Sequence, residues 1–564
     1  MRLLQTTIVP CVALLSLAGW CAQAADFRPP AVPLVTHDPY FSLWSAADRL
    51  TDAATTHWTG KPHRLNSLLR VDGQSFRLLG DEPADCPALP QVGLEVLPTR
   101  TICRFANDQI QLTLTFTSPL LPADLDVLSR PVTYLTWEVA VIDGGTHAVQ
   151  LYFDAGAELA VNTPDQPIHW EHPAIDGLVT MRVGHPEQPV LQKKGDDLRI
   201  DWGYAYVAVP GQQRPQTAIG AGGVLRDGFL ADGKLPYLED AVQPRPVNQG
   251  FFAMAAAWDL GKVAAEGVTR WSMVAYDDRY SIKYFSACEY LRPYWRRGGA
   301  QAADLLQAAA SDYAQLAVRC REFDDALLAD LTRAGGVHYA RLCALAYRQT
   351  LAGNKLVADA NGKPLLFPKE NFSNGCIGTV DVLSPQAPFF LLLSPTLVRA
   401  MLIPVLDYAS SPRWKHAYAP HDLGTYPFAT GQVYGGGERT DDNQMPVEEC
   451  GNMLFMLAAL ARIEGRADLA EKYWPLLTRW ADYLVANGLD PANQLCTADM
   501  FGHLAHNADL SLKAIVALGG YAQMAGMIGQ REAADKYQAV ACDYAARWLE
   551  MAKDEGRTRL AFDR

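Results

Sequence analysis

The sequence predicts a multidomain β-plus-α protein, with a β-sandwich-like domain followed by a ring of helical hairpins. Three observations carry that reading. Short apolar runs, alternating or continuous and separated by turns, fill the first half. From Ala300 onward the apolar residues recur at spacings of three and four. Within this second half, stretches with almost no polar face alternate with amphipathic ones. A closed circle of hairpins requires this, because its inner helices are surrounded and its outer ones meet water.

Residues 1–24 read as a signal peptide. Arg2 opens it, residues 8–20 are apolar, and Ala22-Gln23-Ala24 is an A-x-A site, which puts cleavage near Ala24–Ala25. Trp20 precedes Cys21 where a lipid anchor would need a small residue, so a secreted or periplasmic location is expected. No later apolar run reaches the ~18 residues a spanning helix needs, so no membrane span is expected in the mature chain.

Residues 25–284 are strand-like, with runs at 67–73, 110–118, 132–145 and 148–161 and turns at Asp143-Gly144-Gly145 and Asp232-Gly233. No glycine-rich phosphate loop follows any strand, which excludes a dinucleotide fold. The segment 277–298 reads as the bridge between domains, with residues 285–300 as the linker. Beyond it, 302–332, 467–487 and 530–553 are amphipathic, whereas 339–351, 452–461 and 510–527 are apolar nearly all round. An open solenoid would need a shorter, more regular repeat. The spacing is interrupted by 359–442, a long insertion rich in Asp, His, Gly and Pro. Loops of that length are usually functional.

The formal charge of −13 and the absence of a Lys/Arg run exclude nucleic acid and anionic membrane as partners. Removing Cys11 and Cys21 leaves nine of the eleven cysteines, without C-x-x-C spacing, which indicates no zinc site and no disulfide scaffold. Cys86 and Cys103, both in the β-rich part, are the expected pair.

Four polar loops stand out: PLLFPKENFSNGCIGTVDV (364–382), APHDLGTYPFATGQVYGGGE (419–438), QMPVEECGNM (444–453) and QLCTADMFGHLAHN (494–507). These, with LSLKAI (510–515), YDDRYSIKYF (276–285), LRPYWRRGG (291–299) and the N-terminal stretch from PLVTHDPYFSLW (33–44) to LNSLLRVDG (65–73), resemble the glutaminase A family of secreted hydrolases. The resemblance covers essentially the whole mature chain. It implies an N-terminal β-sandwich-like domain and, over 301–564, an (α/α) helical-hairpin toroid of the six-hairpin type, related to the helical barrels of many glycoside hydrolases. The family is named for release of ammonia from glutamine. Two departures stand out. Ala498 occupies the place of the first of two adjacent aspartates, and the toroid would be expected to run well beyond Arg564, with three to four hairpins present, so the sequence looks C-terminally truncated.

Hydrolysis of an amide or a glycosidic bond needs a proton donor and a base or nucleophile, roles that two carboxylates in unlike surroundings fill. The catalytic candidates are Asp381, Glu449, Asp422 and Asp499. Asp381 leaves apolar surroundings that could keep it protonated. Glu448 and Glu449 begin a buried helix about 100° apart, so one of them, Glu449, is expected to face the cleft. Asp422 could orient His421 or bind a substrate hydroxyl. The substrate-binding candidates are Glu370, Asn371 and Asn374 in the first loop; His421, Gln432 and Tyr434 in the second; Glu448 and Asn452 in the third; and His503, His506 and Asn507 in the fourth. Trp414 and Tyr426 are expected as stacking platforms, and Trp474, Trp480 and Trp548 as core. No S-x-x-K or G-x-S-x-G supports a serine nucleophile, and Cys376 reads as an inert small residue. Without H-E-x-x-H or a third ligand near His503 and His506, neither metal nor cofactor is expected. The partner is a small-molecule amide or a glycan, and the reading beside these is a non-catalytic carbohydrate-binding protein.

Overall fold

Most strands of the first half assemble into two antiparallel sheets facing each other, and Val32–Thr36, Ser42–Ser45 and Thr56–His57 form a separate three-stranded one. The computed structural model describes residues 28–236, 242–285, 289–497 and 502–563, so the signal-peptide segment lies outside the described residues. Nine strands form one sheet, centred on Val268–Asp277, Val132–Val141 and Ile110–Thr117; five form the other, centred on Phe252–Val263, His147–Gly156 and Leu65–Val71. Trp137 of the larger sheet meets Phe153 and Trp258 of the smaller at 5.5 and 5.7 Å between ring centroids, and its indole N–H donates to Ser67 Oγ. Inward side chains alternating along both sheets make the sandwich core. Cys86 and Cys103 are both free thiols there: the pairing expected from their shared β context does not occur.

The segment 285–300 is not a free tether in its described part. Tyr290–Pro293 is a strand of a second five-stranded sheet, which also takes Ile282–Tyr284 from the β half and Asn354–Ala358, Pro364–Pro368 and Phe428–Ala429 from the helical half. This sheet ties the two halves together.

The helix Ala302–Ala352 is interrupted at Gly336, whose φ of 82° and ψ of 175° are not helical. Its first part lies on the sandwich rather than in the hairpin ring. Leu305, Leu306, Ala309 and Leu316 cover Tyr134, Tyr206 and Met273, Tyr313 stacks on Trp271 at 4.0 Å, and buried Asp324 accepts from Thr99 and Arg100. The segment 339–351 is not surrounded either, since Tyr339 and Leu342 are exposed.

Three hairpins follow: Val380–Leu393 with Pro395–Ser410, Pro446–Glu464 with Trp474–Asn487, and Ala508–Met527 with Arg531–Met551. The first helix of each is an inner one, and Pro446–Glu464 packs between the other two. The first hairpin falls inside 359–442, so much of the supposed loop is helical. Pro446–Glu464 is enclosed as expected, but Leu512 and Val516 on Ala508–Met527 are exposed. No helix among the described residues is long and apolar enough to cross a membrane.

Candidate active site

The inner helices all begin at one end of the hairpin array, and their first turns carry the acidic cluster. Asp381 is the second residue of Val380–Leu393, Glu448 and Glu449 are the third and fourth of Pro446–Glu464, and Lys513 is the sixth of Ala508–Met527. Pro446 suits a first helical position, where no amide hydrogen is needed. Asp381 does not cap its own helix: the amides of Val382 and Leu383 donate to the Thr379 carbonyl, and that of Val380 to the His421 carbonyl. Its side chain is therefore free to face the cleft.

Asp381, His421 and Glu449 each offer a ligand atom within 4.8 Å of the others, and His421 Nε2 stands 3.8 Å from Asp381 Oδ1. His421 is held from behind. Its Nδ1 is 3.0 Å from Asp422 Oδ2, and Asp422 is fully buried and saturated by the amides of Gly424, Val433 and Tyr434. Tyr434 stacks on the imidazole at 3.9 Å. Asp422 thus positions the imidazole, and no lone pair of it remains for a reacting atom.

Both Glu448 and Glu449 are buried in the cluster, where one was expected to turn away. Glu448 Oε1 accepts from Lys513 Nζ at 2.5 Å, from Thr497 and from Asn452, whose amide also reaches Glu449 Oε2 at 3.2 Å. Asn452 bridges the two carboxylates, which is how adjacent residues share one site. Lys513 and Thr497 are the members that sequence reasoning missed. The signal for Lys513 was a lone cation on a largely apolar inner helix.

Several buried oxygens here have no hydrogen-bond partner among the described residues: Asp381 Oδ1, Glu449 Oε1, Glu448 Oε2, Glu370 Oε2, Asn371 Oδ1, Asn452 Oδ1 and Thr379 Oγ1. Buried polar groups are normally satisfied, so a concentration of open acceptors marks a place where something with donors binds. The electrostatics agree. Burial, assisted by Glu448 and Glu370 and opposed by His421, raises Asp381 from 3.8 to about 6. The helix N-terminus favours the anion by about 0.3–1 kcal/mol, too little to reverse this. Burial, then the charges of Asp381 and Glu448, push Glu449 well above the usual carboxylate range. Burial opposes a charge on His421, but the hydrogen bond and charge of Asp422 outweigh it and hold its pKa above the ordinary value. Lys513 is likewise desolvated yet kept cationic by Glu448.

Two groups gather metal-type donors: Asp381, His421 and Glu449, and also Cys376, His421 and Asp422. The second is unsuited, because Asp422 is saturated and burial holds the Cys376 thiol protonated. The first retains open oxygens on both carboxylates.

The remaining candidates divide. Asn374 Oδ1 accepts from the Cys376 amide and shapes its loop. Gln432 is consumed by the His421 amide, the Tyr434 carbonyl and Gln444, so it braces the second loop. Trp414 and Tyr426 are not platforms: both are buried, Trp414 donating to the Tyr418 carbonyl and Tyr426 lying against Tyr40. Asn507 caps Ala508–Met527 through the amides of Asp509 and Leu510. His506 pairs with Asp490 in a turn, not on a helix beside His503, which is exposed. Asp499 lies outside the described residues.

Residues 336–564 match the glutaminase A six helical-hairpin domain, residues 99–330 a domain of unknown function (DUF5127), and residues 10–89 another (DUF4964). The chain is 31% identical over 553 residues to glutaminase A of Aspergillus oryzae, spanning 95% of this chain and 79% of that relative. A protein of Arthroderma benhamiae named "Probable glutaminase" is 26% identical over 652 residues, 98% of this chain and 73% of its own. Among solved structures, a bacterial glucoamylase complexed with acarbose overlays with a TM-score of 0.47 at 12% identity, covering 92% of this chain and 66% of its own. A GH92 family glycosyl hydrolase overlays at 0.39 and 12%, covering 94% and 63%.

Proposed function

From the premise that this chain belongs to the glutaminase A family and is a hydrolase, we propose that its acidic cluster cleaves a side-chain amide, converting L-glutamine to L-glutamate and ammonia. The observation that supports this most is the meeting of Asp381, His421 and Glu449 within 4.8 Å, with one open oxygen on each carboxylate. In this reading Asp381, ionised above about pH 6, takes a proton from water as the water oxygen attacks the amide carbon. His421, kept protonated by Asp422, donates from Nε2 to the carbonyl oxygen as it gains charge. Glu449, whose burial favours the protonated form, gives its proton to the departing nitrogen, so that ammonia leaves and the carbon–nitrogen bond breaks. The proton held by Asp381 then restores Glu449.

The same carboxylates could in principle act on a glycan. Their oxygens approach within 4.8 Å, short of the about 6.5–9.5 Å by which an inverting sugar hydrolase separates its pair and near the about 5–5.5 Å of a retaining one, so the second reading is a retaining glycosidase. The test is ammonia release from L-glutamine beside reducing-sugar release from a polysaccharide panel, with wild type, Asp381→Asn and Glu449→Gln. Ammonia released by wild type and lost in both variants supports the reading. Sugar release without ammonia sinks it, as does sugar binding without turnover of any kind.

A further inference from the structure

Phe372 is unusual on two counts. It is 76% exposed, and its φ of 63° lies in the left-handed region that a bulky side chain rarely adopts. Such a conformation persists only where the surroundings dictate it, and it gathers at binding loops. The surroundings here do dictate it. Lys369 pairs with Ile377 across the loop, the Glu370 amide donates to the Cys376 carbonyl at 2.9 Å, and Asn374 accepts from the Cys376 amide at 2.8 Å.

The loop is also pinned to the β half. Buried Lys369 is paired with Asp196, and its ammonium stands 4.5 Å over the Trp58 ring. Trp58 is fixed in turn by its indole N–H, which donates to the Pro39 carbonyl at 2.7 Å. Phe372 meets Trp58 edge to face, 4.9 Å apart at 88°. Glu370 Oε2 and Asn371 Oδ1, both buried and without partners among the described residues, lie in the same turn, and the charge of Glu370 acts on both Asp381 and His421. A rigid aromatic corner with open acceptors therefore borders the reacting cluster.

We propose that Trp58 and Phe372 form a rim subsite that stacks a flat ring of the substrate, while Glu370 and Asn371 accept hydrogen bonds from donors on the edge of that ring. This rests on the hydrolytic reading of the cluster and extends it to the group beyond the bond that breaks. Free glutamine leaves this subsite empty, and a substrate that fills it carries an apolar ring face beside an N–H or O–H donor, as an aryl amide or a sugar does.

The experiment has a turnover arm and a binding arm. In the first, kcat/KM is measured for γ-L-glutamyl anilide and γ-L-glutamyl methylamide. The anilide-to-methylamide ratio is expected to fall about 3- to 10-fold in Phe372→Ala and to be retained in Phe372→Tyr. A ratio unchanged within twofold overturns the proposal. Phe372→Gly repeats the measurement in a variant whose backbone adopts the left-handed conformation without strain. In the second arm, acetanilide and maltotriose are titrated against tryptophan fluorescence. If wild type cleaves neither amide, the glutamine reading stands or falls separately on ammonia release from L-glutamine, and this arm alone decides the subsite. Binding that weakens in Phe372→Ala upholds it, with acetanilide or maltotriose telling aryl from sugar. No binding of either, or binding indifferent to Phe372, overturns it.

Discussion

Asp381 carries opposing demands that one substitution separates. Its carboxyl titrates near 6 in the folded chain against 3.8 without the fold, so the native state binds its proton more tightly. Stability is untouched below about pH 4, declines as pH rises from 4 to 6, and above that carries the full cost of about 3 kcal/mol. Asp381→Asn should therefore unfold at higher denaturant at pH 7, with the difference from wild type closing below pH 4, while ammonia release drops by about 10²–10⁴-fold. Equal stability at pH 7 would contradict the burial argument. The wild-type rate should climb through pH about 6 as Asp381 ionises and fall again at higher pH as His421 and Glu449, both raised above their ordinary values, lose their protons; a profile flat from pH 5 to 7 would exclude Asp381 as the base. Asp381 and Glu449 were legible because each is a charge at the edge of an apolar run. Trp414 and Tyr426 were misread because an aromatic in a polar loop looks the same in sequence whether its ring faces water or the core.

At the scale of elements, the cluster depends on where helices start and on one tight loop. Lys513 reaches across from Ala508–Met527 to Glu448 on Pro446–Glu464. Lys513→Met should destabilise the protein by about 3–5 kcal/mol, read by urea unfolding, because it leaves a fully buried carboxylate uncompensated. Lys513→Met/Glu448→Gln should recover most of that loss, and failure to recover would show that the pair is not the cause. Gly375, at φ 72°, sits so close to the β half that an added Cβ would lie 2.8 Å from the Asp196 amide nitrogen. Gly375→Val should therefore displace the 369–377 loop and raise KM more than it lowers kcat. The amphipathic helices could be read from their periodicity. Val380–Leu393 and Pro395–Ser410 could not, because Pro385, Pro388 and Pro404 each remove an amide donor, and local chemistry alone predicts a break. Enclosure by neighbouring helices overrides it.

For the molecule as a whole, the division into a β half and a helical half was legible, but the way they join was not. Residues 302–332 look like the first outer helix of a ring and instead roof the sandwich, a choice made by Tyr134, Trp271 and Thr99, far away in the chain. The strongest link is also long-range. Lys355 Nζ lies buried 2.7 Å from Asp38 and 2.8 Å from Asp278, and Arg348 Nε donates to Thr36 Oγ1 at 2.7 Å. Lys355→Met should lower stability by about 3–5 kcal/mol and widen the gap between the unfolding temperatures of the two halves, seen by calorimetry.

That triad sets a rule for anyone dividing the gene. A helical fragment begun at residue 300 would expose a lysine and an arginine shaped to lie in the dry, and its β counterpart would be left with two inward-facing aspartates and no cation. Chimeras between relatives would inherit the same mismatch unless Asp38, Asp278 and Lys355 travelled together, so the working unit of exchange is the joined pair.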